Sequence, residues 1–197
     1  MKLVLVSQRV VVDAATGERR DALDQAWHPF LEKCGLVAVP VPNDPTTADW
    51  LCASVDWAGV LLTGGNDLAS LGGDAPERDR VEEILVASAL DARRPVLGVC
   101  RGMQFLLAYD GAKLERVDGH ARTEHALVGE SRRVNSYHRF GCREAPAELA
   151  VLARAQDGVI EAVRHRDFAL RGVMWHPERG GAAHPDDVAL FREWFAP

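Results

Sequence analysis

Pro95-Val96-Leu97-Gly98-Val99-Cys100-Arg101-Gly102-Met103-Gln104 is the stretch from which the rest of the chain can be read. A short apolar run passes through Gly-x-Cys-x-Gly into a segment of helical spacing, so a buried strand turns sharply into a helix. This is the nucleophile-elbow pattern with sulfur in place of oxygen. A turn that sharp needs small neighbours, and Gly98 and Gly102 let adjoining backbone pass close to position 100. Cys100 then stands at a helix N-terminus, where the partial positive charge favours a thiolate. The peptide N–H of Arg101 points to the same place and suits a developing oxyanion. A buried cysteine that merely ends a strand would not require glycine on both sides.

Working outward, runs at residues 3–6, 36–41 and 59–62 share the apolar, β-branched character of 95–99 and read as buried strands of a parallel sheet. Helical patterns separate them. Residues 22–34 place Leu23, Ala26, Trp27, Phe30 and Leu31 on one face, with Gly35 to stop the helix and Pro29 implying a kink or a late start. A second helix carries Val81, Ile84, Leu85, Ala89 and Leu90, and a third runs over 101–109. Beyond residue 112 the pattern shortens: 113–117, 131–135, 149–155, 159–163 and 168–174 read as strands, the last two as a hairpin or meander, before a closing helix over 186–195. The fold class is therefore α/β, with a mostly parallel central sheet flanked by helices on both faces and a β-rich C-terminal third. Residues 1–197 form a single domain on this reading.

Composition narrows the function. The net charge of −6 argues against a phosphate-backbone binder, so nucleic acid is not an expected partner. No apolar run approaches the ~20 residues of a membrane span, and the apolar start at 3–6 is too short for a signal peptide. Cys34, Cys52, Cys100 and Cys142 are far apart and form neither a CxxC pair nor a disulfide framework, which fits a reduced, cytoplasmic chain.

A thiolate nucleophile needs a proton-handling partner, and that partner needs a carboxylate to orient it. Trp175-His176-Pro177-Glu178 follows the apolar run ending at Met174, so His176 and Glu178 emerge at the carboxyl end of a strand, where ligands bind in open parallel sheets. Leu61-Leu62-Thr63-Gly64-Gly65-Asn66-Asp67 ends another strand in two glycines, and Gly65 is read as a second oxyanion donor. No Gly-Lys-Ser/Thr follows, which disfavours a phosphate loop. Gln104 lies about one helical turn beyond Cys100 and so can face the same site.

Taken in order, these segments resemble the class I glutamine amidotransferase-like superfamily, and within it the γ-glutamyl hydrolase branch. Arg78-Asp79-x-x-Glu82, Gly111-x-x-Leu114, Val134-Asn135-Ser136-x-His138 and Gly172-Val173-x-Trp175-His176-Pro177-Glu178 extend the likeness along most of the chain. The resemblance implies a triad of Cys100, His176 and Glu178 with the backbone of Gly65 and Arg101 as oxyanion hole. It also implies that Gln104 holds the glutamyl group and that Ser136, Tyr137 and His138 bind its α-amino and α-carboxylate end. Arg139-Phe140 replaces the His-Gln usual after the position of His138. The opening Ser7-Gln8-Arg9-Val10 with Arg20-Asp21-Ala22-Leu23-Asp24-x-x-Trp27 is similar to a compact subgroup of the branch, of γ-glutamyl-CDP-amidate hydrolase type. That similarity implies a phosphorylated leaving group meeting Arg9 or Arg20, although a solvated arginine is the simpler reading of each.

The expected activity is cysteine-dependent hydrolysis of a small-molecule γ-glutamyl amide through a glutamyl thioester, with no metal and no organic cofactor. Two alternatives stay open: a glutaminase subunit feeding ammonia to a separate synthase chain, and a non-catalytic regulatory protein of the same fold. A homodimer or a partner synthase is the protein partner to consider. His28, His120, His125, His165 and His184 form no metal-ligand set with the cysteines, and His120 and His125, five apart without zinc spacing, read as surface or loop residues. Arg132-Arg133 and Arg164-His165-Arg166 read as solvated strand ends.

Overall fold

The computed structural model describes residues 1–179 and 181–196. Its elements follow in chain order: β1 (Lys2–Ser7), β2 (Arg9–Val12), β3 (Arg19–Ala22), α1 (Trp27–Lys33), β4 (Leu36–Val41), α2 (Pro45–Ser54), β5 (Gly59–Leu62), α3 (Pro76–Asp91), β6 (Val96–Val99) and α4 (Arg101–Tyr109). Then come β7 (Glu115–Arg116), β8 (Ala121–Ala126), β9 (Arg133–Tyr137), β10 (Phe140–Gly141), β11 (Leu149–Arg154), β12 (Ile160–His165), β13 (Leu170–Val173) and α5 (Pro185–Trp194).

Seven strands form the central sheet in the order β11-β12-β13-β6-β5-β1-β4. From β13 to β4 every pairing is parallel, and β12 and β11 extend that edge antiparallel as the expected meander. Successive side chains of a strand face opposite layers, and β1 shows this directly. Val4 and Val6 pack with Trp27, Phe30 and Leu31 of α1 and with Phe191 of α5. Leu5 packs on the other face with Val81, Leu85, Val86 and Ala89 of α3 and with Ala48 of α2. Met103 and Leu107 of α4 cover Ile160 and Val163 of β12 on a third apolar cluster. Burying each such aliphatic side chain contributes about 1.5–3 kcal/mol.

Two departures from the sequence expectation have local causes. Helix α1 begins at Trp27 rather than at residue 22. Asp24 Oδ1 accepts the Ala26 N–H at 3.0 Å, forming a turn ahead of the helix. Pro29 falls in the first turn, where its missing N–H costs nothing. The preceding residues Arg19–Ala22 pair instead with β2 as an antiparallel ribbon. Helix α2 carries Cys52, a residue that the sequence places on a helical apolar face without bounding the helix; Asp44 accepts the Thr47 N–H at 2.8 Å and Pro45 opens it.

Because β1, β5, β6 and β13 are parallel, their carboxyl ends share one edge of the sheet. The chain turns to opposite sides of β1 to make β4 and β5, so this edge holds a topological switch point. Gln8 and Arg9, Thr63 to Gly65, Cys100, and Met174 to His176 all leave the sheet there.

Candidate active site

Cys100 has φ 54° and ψ −108°, a region that residues with a Cβ rarely occupy. Its N–H donates to Val173 O at 2.8 Å and its carbonyl accepts the Gln104 N–H at 3.0 Å, so the strained residue is held by β13 on one side and α4 on the other. The glycines around it are enforced by contact. A Cβ on Gly98 would lie 2.5 Å from the Gly102 carbonyl oxygen, and one on Gly102 would run into the Leu62 carbonyl. The strand ends are equally close: a Cβ on Gly64 would lie 2.6 Å from His176 Cε1 and 3.6 Å from Cys100 Cβ. The ends of three separate segments therefore meet at Cys100.

His176 is buried, and its Nδ1 lies 2.7 Å from Glu178 Oε1. That contact leaves Nε2 for the side of the cysteine. Burial would push the imidazole pKa down, but contact with Cys100 and Glu178 overrides it and raises the value to about 9. The ring thus stays protonated through neutrality beside Cys100. Asn135 holds the same histidine by its backbone. Its Oδ1 accepts the His176 N–H at 2.8 Å, and its Nδ2 donates to the His176 carbonyl at 2.9 Å. Sequence reasoning placed Asn135 within a motif without giving it this part.

The two predicted oxyanion donors are tied together beneath the cleft. Arg78 is fully buried and donates to the carbonyls of Thr63, at 2.6 Å, and Gly64, at 3.0 Å. These contacts hold the turn leading into Gly65, whose φ of +131° only glycine adopts readily. Glu82 accepts from Arg78 Nε at 3.0 Å and from Arg101, which also pairs with Asp79. The Arg101 side chain is thereby drawn into the interior while its backbone N–H starts α4 beside Cys100. A buried ionic network of this kind is costly to break, since removing one partner strands a charge, typically by about 3–5 kcal/mol.

Cys100, Gly65, Arg101, Gln104 and His176 share a cleft of about 800 Å³ whose far wall carries Tyr137, His138 and Arg139. Tyr137 stands edge-on to His176, with centroids 5.4 Å apart, beneath the guanidinium of Arg179 at 4.8 Å. Gln104 is buried and donates to Phe140 O at 2.8 Å, so it reaches the cleft while bracing the wall.

Several expectations need correction. Ser136 does not reach the cleft: it is fully buried, and its hydroxyl donates to the His120 carbonyl at 2.6 Å. Arg9 lines the cleft, whereas Arg20 is exposed and pairs with Glu18 at 2.5 Å. Arg132 is no solvated strand end; it pairs with the buried Asp187 and lies 5.3 Å over the Trp175 ring. His165 is buried and accepts the N–H groups of Asp167 and Phe168. His120 and His125 are not surface residues either. His120 is buried, His125 is largely covered, and both approach the buried Glu161, as does His138. No helix among the described residues is long and apolar enough to cross a membrane.

A cysteine on a strand–helix elbow, a His-x-Glu pair from the neighbouring strand and a mostly parallel sheet define a class I glutamine amidotransferase-like protein. Within that class the chain belongs to the peptidase C26 family, whose model matches residues 4–127 and 113–178. Over 202 residues it is 26% identical to the γ-glutamyl-CDP-amidate hydrolase of Campylobacter jejuni subsp. jejuni serotype O:2, covering 97% of this chain and 96% of that one. It is 30% identical over 176 residues to the glutamine-hydrolysing GMP synthase subunit of Methanopyrus kandleri, covering 83% and 89%. The fold is shared with a Thermoplasma acidophilum protein described as a GMP synthase subunit, with a TM-score of 0.71 and 16% identity over 99% of this chain and 93% of that one.

Proposed function

We propose that the protein is a thiol-dependent hydrolase of γ-glutamyl amides. The observation that carries this reading is the convergence on one cleft of the strained Cys100, the His176–Glu178 pair and the backbone of Gly65 and Arg101. The Cys100 thiolate attacks the γ-carbonyl carbon, and the negative charge that forms on its oxygen is met by the N–H groups of Gly65 and Arg101. The His176 imidazolium gives its proton to the departing nitrogen as the C–N bond breaks, leaving a glutamyl thioester on sulfur. The neutral imidazole then takes a proton from water, whose oxygen attacks the thioester; glutamate leaves and the thiolate–imidazolium pair is restored. Glu178 holds the imidazole in the required orientation throughout. Tyr137 and Gln104 border the glutamyl end, and His138 meets it through its backbone alone, its ring being turned behind the wall.

The leaving group is read as anionic. Arg9, Arg122, Arg139 and Arg179 line the same cleft, and guanidinium forks match phosphate geometry. A phosphorylated amine such as a nucleotide amidate fits this rim, in keeping with the substrate named for the Campylobacter relative. Mass spectrometry of wild type and Cys100→Ser with a panel of γ-glutamyl compounds tests the proposal. Wild type is expected to release glutamate from at least one phosphorylated member and the variant from none; equal release by both would remove Cys100 from the reaction.

A second reading is a glutaminase subunit whose ammonia goes to a separate synthase chain, favoured by the likeness to glutamine-hydrolysing GMP synthase subunits. Glutamine cleavage that appears only on addition of a synthase would establish it against the partner-free hydrolase.

A further inference from the structure

Behind the wall of the cleft, His120 Nδ1 and His138 Nε2 lie 3.2 Å apart, and Glu161 Oε1 lies 3.2 Å from the first and 3.3 Å from the second. All three residues are buried, Glu161 completely. The outer nitrogens decide which inner atoms carry protons. His138 Nδ1 faces the Phe140 carbonyl at 3.1 Å, which only accepts, and His120 Nε2 faces Asp157 Oδ2 at 3.2 Å. In the neutral tautomers whose ring protons serve these outward contacts, two imidazole lone pairs and a carboxylate oxygen point at one spot, a set that either a cation or an added proton must close. Neither Glu161 oxygen has a partner in hydrogen-bonding geometry, and the buried His125 Nε2, 3.3 Å from Glu161 Oε1, has none either. Burying such a set unpaired costs several kcal/mol.

We propose that His120, His138 and Glu161 form a structural site for zinc or a similar divalent transition metal. Zinc bonds of about 2.0–2.1 Å in a tetrahedron separate neighbouring donors by about 3.3–3.4 Å, which is the spacing observed. The outward contacts to Asp157 and Phe140 would fix the ring orientations, as the outer hydrogen bonds of metal-bound histidines do. Imidazole and carboxylate donors suit zinc, and burial marks a structural rather than a reacting site.

The backbone shows how the ligands are brought together. His120 and His125 are five apart, which on a regular strand puts them on opposite faces. Arg122 between them has φ +60° and sits at a break in the β8–β9 register, so one extra residue restores both rings to the same side. Glu161 comes from β12 of the central sheet. The ion would thus clip the β8–β9 ribbon to that sheet. The Phe140 carbonyl, shared by His138 and Gln104, passes the restraint to the helix that bears Cys100.

The test uses untagged full-length protein equilibrated with zinc, dialysed against a weak chelator and assayed by elemental mass spectrometry. Wild type and Cys100→Ser are expected to retain about one equivalent, with Glu161→Gln retaining less than about a tenth of that. Asp157→Asn, altered only at an outer partner, is expected to bind zinc about tenfold more weakly and guards against a Glu161 variant that fails to fold. Removing zinc with a strong chelator should lower the wild-type melting temperature by about 5 °C or more, reversibly. The proposal is overturned if wild type retains no more zinc than Glu161→Gln or Asp157→Asn. The cluster is then an imidazolium–carboxylate network closed by a proton. Metal content and melting are read without substrate, so failure of the hydrolase reading leaves this result intact.

Discussion

On the floor of the cleft, Cys100, Gly65 and His176 stand just beyond the ends of parallel strands, each close enough to the next that a methyl group on Gly64 or Gly102 would collide. On the wall, Tyr137 ends a two-stranded ribbon, with His138 just past it, outside the ladders of the central sheet and joined to it by the Leu127–Ala155 bridge and by side chains such as Asn135 and Glu161. The floor is fixed by backbone sterics, which tolerate almost no change. The wall is fixed by a few polar ties between distant residues, which can be loosened one at a time. Reaction chemistry belongs on the stiffer part, because it needs positions held to fractions of an ångström. Substrate discrimination suits the part that can vary.

The harshest way to probe the floor is Cys100→Ser. Glutamate release should fall by at least about a thousandfold with the melting temperature little changed, since the substitution exchanges sulfur for oxygen with little change in side-chain volume. Iodoacetamide labelling should be faster at Cys100 than at Cys34 or Cys142, whose burial pushes each thiol up to about 11. Equal labelling of all three near neutral pH would count against the thiolate–imidazolium pair.

Next in size is Glu178→Gln, expected to lower kcat by about a hundredfold while preserving shape. Because the folded His176 value is raised from 6.5 to about 9, the imidazolium and the stability it supplies are fully present below pH 6.5 and lost as pH rises through 9. Wild-type kcat/KM should therefore fall on the alkaline side near pH 9, and the variant should fall at lower pH because one of the two supports of the charge is gone. An alkaline limb unmoved by the variant would detach Glu178 from the titration.

A pair of glycine substitutions sharpens the contrast. Gly102→Ala drives a methyl into the Leu62 carbonyl and should cost about 3 kcal/mol with at least tenfold lower activity. Gly119→Ala, beside the wall, has φ +80° but meets no described atom within 4 Å, so only the backbone penalty of about 1 kcal/mol applies. Chemical denaturation of both reads the difference directly.

The same contrast explains what was legible in the sequence. The elbow needs glycines at fixed short offsets, and its strands need apolar runs, so β4, β5 and α4 were bounded correctly and β6 to within a residue. The His176-x-Glu178 pair is local and was visible for the same reason. The wall left no such trace. Arg122 hides the shared face of His120 and His125 by breaking strand alternation, and Glu161 lies far along the chain from both, on a strand that otherwise reads as apolar. Ser136 was assigned to substrate because its neighbours are, yet alternation along β9 turns it inward while Tyr137 faces the cleft. The β2–β3 ribbon was overlooked because Leu23, Trp27 and Phe30 lie on one helical face, which drew the helix too far toward the N-terminus.

Asn135→Ala tests the join between the two regions. It removes two hydrogen bonds to the His176 backbone without touching the imidazole, so kcat should drop about tenfold with KM nearly unchanged. Asn135→Asp restores the acceptor for the His176 N–H but not the donor to its carbonyl, and partial recovery would show that position, rather than folding, was lost.

The smallest effects separate two arginines that the sequence put on equal terms. Arg9 leaves the end of β1 and lines the cleft against Gly65, where a Cβ would stand 2.7 Å from its own Cβ. Arg20 lies across the ribbon in solvent, where screening leaves its pair with Glu18 little weight. On a phosphorylated γ-glutamyl substrate, Arg9→Ala should raise KM by about five- to tenfold, and Arg20→Ala by less than about twofold. On glutamine, which offers no phosphate, both variants should match wild type. An Arg9 effect of equal size on both substrates would place its contribution in the Gly65 turn, through packing, and would leave the anionic leaving group to Arg122, Arg139 and Arg179.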